Sequence, residues 1–262
     1  MNSHLPFRLQ QSPTVLDRIA NVDLLAAEID VIWGPGRRPH EAPPSVVIGD
    51  AGNSMIIMVR DDVEADVAAA VRTTAVDNRL PQLARDIQDV LQRSLGPLEA
   101  TVGPSYDCSA PVPQPDPSIG RLVRSDDADD SIKLATPPTW DDAEWAELLT
   151  GRLGPWAAVA DDERVLSLCH SARLAAGGVE AGTWTHADAR GRGLAAAATA
   201  AWAEICRPLP GHIFYSTDAY NLSSQRVAAR LALPPIGQLW KFRPADEGDG
   251  PEGARLSLLL RA

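Results

Sequence analysis

The stretch "DARGRGLAAAATAAW", residues 188–202, sets Arg190, Gly191, Arg192 and Gly193 directly ahead of an alanine run that ends at Trp202. Glycine lets another molecule come close to the backbone, because no Cβ holds it off. The first turn of a helix adds unpaired N–H groups and a partial positive charge. Together these make an anion site, most often one for phosphate. It is expected over 190–196, where Leu194, Ala195 and Ala196 open the helix.

Two nucleotide-binding patterns meet obstacles here. A P-loop requires GxxxxGK[ST], and no lysine lies near. The spacing Gly191-x-Gly193-x-x-Ala196 fits a dinucleotide fingerprint, and Asp218 follows where a ribose-binding acid would sit. Too little chain remains after Asp218 for the rest of a doubly wound sheet. The preceding strand, Val179 to Thr185, also mixes polar and apolar residues, unlike a central parallel strand.

A third pattern uses more of the chain. Arg190 to Ala195 matches R-x-x-G-x-A, and the segment resembles the acetyl-CoA loop of the GNAT superfamily of N-acetyltransferases. Downstream, "YNLSSQRVAARLAL" resembles the second GNAT signature through Asn221 and Ser224, with Ala232-Leu233 in place of its Gly-Phe. The resemblance covers about residues 118–262 and points to a bacterial subgroup with an extra N-terminal domain. It implies that acetyl-CoA is the cosubstrate, with no metal, and that backbone N–H groups of 190–196 hold its pyrophosphate. It also implies a strand that splays from its neighbour, so that Thr183, Trp184 and Thr185 pair with the pantetheine arm.

Acetyl transfer to an amine needs a base for the amine, stabilisation of the thioester oxygen and an acid for the leaving thiolate. Glu180, ten residues before Arg190, stands near the point where some members of the family carry a glutamate base. Many members place a tyrosine acid seven residues beyond the motif asparagine; here that position is Ala228. Tyr215, Ser216 and Tyr220 are nearby substitutes. His186 precedes the loop and is expected to be exposed, and His170 to pack within its strand. The reading is transfer of an acetyl group to the amine of a small-molecule acceptor. Its alternative is a degenerate member that binds an acyl-CoA as a sensor or partner module.

The elements that must position these residues follow from pattern. Before 103, a helix from Ser12 to Trp33, strands "SVVIGD" and "NSMIIMVR", two helices and the strand "LEATVG" form a small α/β unit. The Pro-rich segment 104–117 reads as a linker. After it come a strand, a helix capped at Thr139 or Asp141, and three strands, the first two joined at Asp161-Asp162-Glu163. The alanine helix, strand "HIFYST", helix "NLSSQRVAARLAL" and two strands, the last being "RLSLLLRA", complete the order. The fold class is α/β, with a smaller α/β domain (1–103), the linker and a GNAT fold (118–262). That fold implies a mixed, mainly antiparallel twisted sheet with helices on both faces.

Composition sets outer bounds. The net charge of −11 argues against a nucleic-acid partner, which asks for a basic stripe. The start lacks an apolar signal region and no run is long enough to span a membrane, so no membrane association and a cytoplasmic location are expected. Cys108, Cys169 and Cys206 stand far apart without metal-like spacing and read as buried, inert thiols.

Overall fold

The computed structural model describes residues 7–10, 16–34, 43–76, 79–127 and 133–245. Strand β1 (Phe7–Gln10) and helix α1 (Leu16–Ile32) lead into the hairpin of β2 (Val46–Asp50) and β3 (Ser54–Val59). Gly52 supplies the positive φ of 88° that the hairpin turn requires. Helices α2 (Ala65–Ala75) and α3 (Gln82–Leu95) follow, and Gly96 stops the second ahead of β4 (Leu98–Asp107).

Beyond it lie β5 (Arg121–Arg124), α4 (Asp142–Leu149), β6 (Trp156–Asp161), β7 (Arg164–Ala175) and β8 (Gly178–Thr185). Asp141, rather than Thr139, caps α4: its Oδ1 accepts the Glu144 N–H at 2.8 Å. Asp162 takes a φ of 49° in the β6–β7 turn. Helix α5 (Leu194–Cys206), β9 (His212–Ser216), α6 (Leu222–Arg230) and β10 (Pro235–Pro244) complete the described chain. The strand expected over 255–262 lies outside the described residues.

The ten strands form one sheet in the order β1-β3-β2-β10-β4-β9-β8-β7-β6-β5. Its two halves interleave. β10 from late in the chain lies between β2 and β4, and β4 lies between β10 and β9. Residues 104–107 of the expected linker continue β4, and 108–117 have no regular secondary structure. Pro104 is tolerated in the strand because its carbonyl still accepts the Thr217 N–H at 3.2 Å, while a missing N–H costs nothing where none is needed.

Helices cover both faces, as side chains that alternate along each strand demand. Phe214 points into the cluster under α1, with Leu25, Ile29 and Leu239. Its neighbours Ile213 and Tyr215 point the other way, into the cluster around α5. On α5 Leu194, Ala198 and Trp202 share one buried face, and Ile205 is partly buried. The alanines from Ala196 onward are buried as well, since a small side chain lets helix and sheet approach closely. Trp202 anchors the contact, its Nε1 donating to the Ser171 hydroxyl at 3.2 Å.

All three cysteines are buried and free. Burial is the main cause that pushes the thiols of Cys108 and Cys206 up to about 12, and that of Cys169 upward too. The native protein should therefore not react with a thiol-specific chromogenic reagent at mildly alkaline pH, and should react fully once denatured. Rapid native labelling of any cysteine would contradict this packing.

Candidate functional site

The site begins with a strand pair that comes apart. β8 and β9 run parallel and pair only over Gly178–Glu180 and His212–Phe214. Past that point β8 stays bound to β7 as far as Thr185, while β9 goes on beside β4. The edge of Ala181 to Thr185 that faced β9 has no strand partner among the described residues. The carbonyls at its end are partly used. Trp184 accepts from the Ser167 hydroxyl at 3.0 Å, and Thr185 from Arg190 Nε at 3.4 Å. Thr183 is exposed, while Trp184 packs against the cluster of Trp145, Trp156 and Leu168.

A groove of about 640 Å³ opens between this edge, the start of α5 and α6. Gly191 and Gly193 hold φ values of 76° and 78°, conformations that L side chains rarely adopt. Gly191 has open space above it, and a Cβ at Gly193 would strike the Arg230 guanidinium. Among the described residues the N–H groups of Gly193, Leu194 and Ala195 make no backbone hydrogen bond, as the first turn of a helix leaves them. That of Ala196 is taken by the Gly193 carbonyl at 3.1 Å. Arg190, Ala195 and Ala196 line the groove; Leu194 also borders it but is buried in the core. Arg192 is exposed, and its carbonyl accepts from the Ser118 hydroxyl at 3.3 Å. Glycines at φ > 0, free N–H groups and an unpaired strand edge fit the pyrophosphate and pantetheine of a coenzyme A thioester.

Asn221 and Ser224 meet at the head of α6. The Asn221 side chain caps the helix by accepting the Ser224 N–H at 3.0 Å. The Ser224 hydroxyl lies 2.6 Å from the hydroxyl of Tyr215. Tyr215 is buried, and burial pushes its phenol up to about 12, against the opposing effect of hydrogen bonds with Ser224 and Thr183. Its hydroxyl thus stands between β8 and α6 where the two strands part. Tyr220 is exposed on the loop before α6.

On the other face of β8 lies a second cavity, of about 410 Å³, whose lining includes Trp140, His170, Arg173, Glu180, Ser216 and Lys241. The two spaces share Thr183 and Trp184. Glu180 is nearly buried; its Oε1 accepts from the Ser216 hydroxyl at 2.5 Å and its Oε2 lies 3.7 Å from Arg173 Nε. Lys241 Nζ reaches Ser216 Oγ at 3.5 Å. Behind them Glu28 of α1 is fully buried and accepts a hydrogen bond from the Ser105 hydroxyl. Burial is the main cause that raises the Glu28 carboxyl to about 8; the charge of Glu180 adds to it.

The structure brings together Glu180 and Ser216 in one cavity, and Thr183 to Thr185, Arg190, Gly193, Asn221 and Ser224 along the groove. Tyr215 faces away from Ser216, because neighbours on a strand point to opposite faces. His186 is partly exposed beside Arg164 and Asp188. His170 lies within strand β7 as expected, with its ring 4.9 Å from that of Trp140, and there it also lines the cavity.

Sequence reasoning missed Glu28, Ser105, Lys241, Arg226 and Arg230. Glu28 had a signal: it stands beside Ile29 on the apolar stripe of Val22, Leu25 and Ile32, where a carboxylate is out of place. Arg226 and Arg230 also had one, four residues apart on the helix that faces the anion loop. Ser105 had none, being hidden in a segment read as a linker.

Among the described residues no group of three or more His, Cys, Asp or Glu could hold a metal ion, and no helix is long and apolar enough to cross a membrane. Residues 151–235 match the family model described as GNAT acetyltransferase. No curated protein is significantly similar to the chain in sequence. Among solved structures, it resembles an acetyltransferase from the GNAT family of Colwellia psychrerythraea at 9% identity, covering 92% of this chain and 100% of that one with a TM-score of 0.44. It also resembles a GCN5-related N-acetyltransferase-like protein from Streptococcus suis at 15% identity, with coverages of 86% and 100% and a TM-score of 0.42. A structure from Novosphingobium aromaticivorans, assigned to the GNAT family, matches at 19% identity, covering 56% of this chain and 66% of that one with a TM-score of 0.37. The matched segment runs from just after α4 through the parting strands, the glycine turn before α5 and α6, and it is this segment that carries the likeness to the GNAT acetyltransferase family.

Proposed function

We propose that the protein moves an acetyl group from acetyl-CoA to the amine of a small-molecule acceptor. Acyl transfer in general is what the fold supports; the finer reading rests on one observation. The groove beside the anion loop and the cavity around Glu180 meet at Thr183 and Trp184. A donor in one and an acceptor in the other would bring their reacting atoms to the gap between β8 and β9.

Acetyl-CoA supplies an activated acyl group and a thiolate leaving group. Everything else falls to this chain's own residues. Free N–H groups at Gly193 to Ala195 hold phosphate oxygens, and the Thr183 backbone orients the arm. Glu180, fixed by Ser216 and Arg173, takes the proton from the acceptor amine. Tyr215, whose hydroxyl stands at the parting of the strands, gives a proton to the leaving sulfur; burial keeps that proton in place up to about 12. Ser216 serves Glu180 instead of acting as an acid. In this reading residues 118–262 carry the chemistry in a cytoplasmic protein. Residues 1–103 border the acceptor cavity with Ile32, Pro44 and Thr101 to Gly103, and 104–117 join the two.

A second reading, an acyl-CoA-binding module without turnover, is favoured by Ala228 at the position where many relatives carry tyrosine. Release of CoA from acetyl-CoA in the presence of pooled small amines separates the two. Amine-dependent release supports transfer; tight acetyl-CoA binding with no release supports the module.

Three substitutions test the assignments. Gly193→Val puts a branched side chain at a φ of 78° in the anion loop. By calorimetric titration it should weaken acetyl-CoA binding at least about tenfold, or about 1.4 kcal/mol. Unchanged affinity in a folded variant refutes the loop assignment. Glu180→Gln should lower kcat by about a hundredfold to ten-thousandfold with acetyl-CoA affinity kept. An unaltered kcat in the folded variant means that another group is the base. Tyr215→Phe should lower kcat by a factor in that same range of about 10² to 10⁴ if the phenol protonates the leaving group. A loss of thermal stability with kcat intact would leave Tyr215 a packing residue.

A further inference from the structure

A buried carboxyl reaches the Glu180 cluster from the far end of the sequence. Glu28 has no exposed surface. Helix α1 carries it over the sheet on the side where Leu25, Ile29 and Ile32 pack. A carboxylate in such a place is costly unless it is paired or neutral. Its partners are few. The Ser105 hydroxyl donates to Oε2, and Oε1 finds no hydrogen-bond partner among the described residues.

The polar groups near Glu28 come from neighbouring strands. Its partner Ser105 of β4 stands in register opposite Ser216 of β9, and Ser216 in turn meets Glu180 of β8 at 2.5 Å and Lys241 of β10 at 3.5 Å. β7 brings Arg173, engaged with Glu180 at 3.7 Å, and His170 on the cavity wall; β9 also carries His212 beside Phe214, and Arg243 of β10 is engaged with Glu99 at 3.3 Å. β3 has no charged residue, and β2 has only Asp50, three positions along from Val47, the partner of Lys241. The Ser216 hydroxyl is therefore the group that links the two carboxyls, with the Lys241 ammonium 3.5 Å from it.

We propose that Glu28 is a positioning residue for Glu180: held as a neutral acid against Ser105, it leaves the Ser216 hydroxyl and the Lys241 ammonium to Glu180, and an ionised Glu28 withdraws them. This rests on the reading of Glu180 as the base of the acceptor site. The direction follows from charge. A neutral Glu28 does not compete for a donor, whereas a second carboxylate attracts both Ser216 Oγ–H and Lys241 Nζ, and the hydrogen bond of 2.5 Å to Glu180 weakens. The proton lost goes to solvent as pH rises through about 8.

The test compares the full chain with Glu28→Gln, which keeps the size and stays neutral at every pH. The wild type should lose kcat for amine-dependent CoA release as pH rises through about 8, with KM for acetyl-CoA unchanged. E28Q should match it to within a few-fold at neutral pH and hold its rate above that point. An alkaline loss that persists unchanged in E28Q overturns the proposal, even where the variant unfolds at a lower temperature, since that is all a packing role predicts.

A second measurement needs no turnover. Carbon-13 resonances of the glutamate carboxyls should show one group titrating near 8 in the wild type, absent from E28Q and moved to lower pH in Glu180→Gln. If E180Q leaves that midpoint in place, the link between the two carboxyls is refuted. E180Q retains Glu28, so this arm stands even where E28Q fails to fold. Coupled titration with no CoA release from any amine would uphold the link and sink the transfer reading instead.

Discussion

The separation of β8 from β9 beyond Glu180 and Phe214 is the constraint on which the rest of the site depends. A parallel pair that held its register to Thr185 would spend every backbone group of β8 and leave no edge for a ligand. By ending the pairing there, the fold opens space on both faces of the sheet at one point. The groove forms on the α5 and α6 side, and the cavity under α1 and α4. Gly178 and Gly211 fix where the pairing starts. A Cβ on Gly178 would meet the backbone of His212, and one on Gly211 the backbone of Gly177, so only glycine lets the strands approach there.

A sheet parted in its middle needs support from outside the parting strands. β4 gives it by pairing with β9 over Ser105 to Asp107 and with β10 along nearly its whole length. Gly103 marks how tight that seam is, since a Cβ there would overlap the Thr217 carbonyl at the end of β9. The same strand delivers Ser105 to Glu28. Thus the first hundred residues complete the sheet and also set the polar groups behind Glu180. Buried charge is tolerated in the cluster because its members, brought by six elements, partner one another: Glu180 with Ser216 and Arg173, and Glu28 with Ser105.

The elements from β6 to β10 and the glycine turn ahead of α5 were legible because local rules decide them. Glycines ahead of an alanine run, Asp141 as a cap and the Asp161 to Glu163 turn act over a few residues each. The continuation of β4 through Pro104 was not legible. Proline count spoke for a linker, whereas the deciding fact is a strand partner more than a hundred residues away, the Thr217 N–H. The cavity cluster was half legible for the same reason. Glu180 and Ser216 stood near the motifs, but their neighbours Glu28, Ser105 and Lys241 are joined to them only by the sheet order. Lys241 is one of only two lysines in the chain, yet rarity without a position carries no chemistry.

The position of Tyr215 bears on how an active site of this family can be built when its usual tyrosine is missing. Ala228 is fully buried, so a tyrosine there would have no room without repacking. Ser224 lies four residues earlier and therefore on the same face of α6. The hydroxyl of Tyr215 reaches that face from β9, 2.6 Å from the Ser224 hydroxyl. In our reading a phenol is thus supplied to the parting of β8 and β9 from the strand rather than the helix, and a small residue on the helix leaves space for its ring. Such an exchange keeps the core filled and the polar group near the groove, which neither change alone would do. It also gives the buried hydroxyl a partner, as a phenol out of water requires.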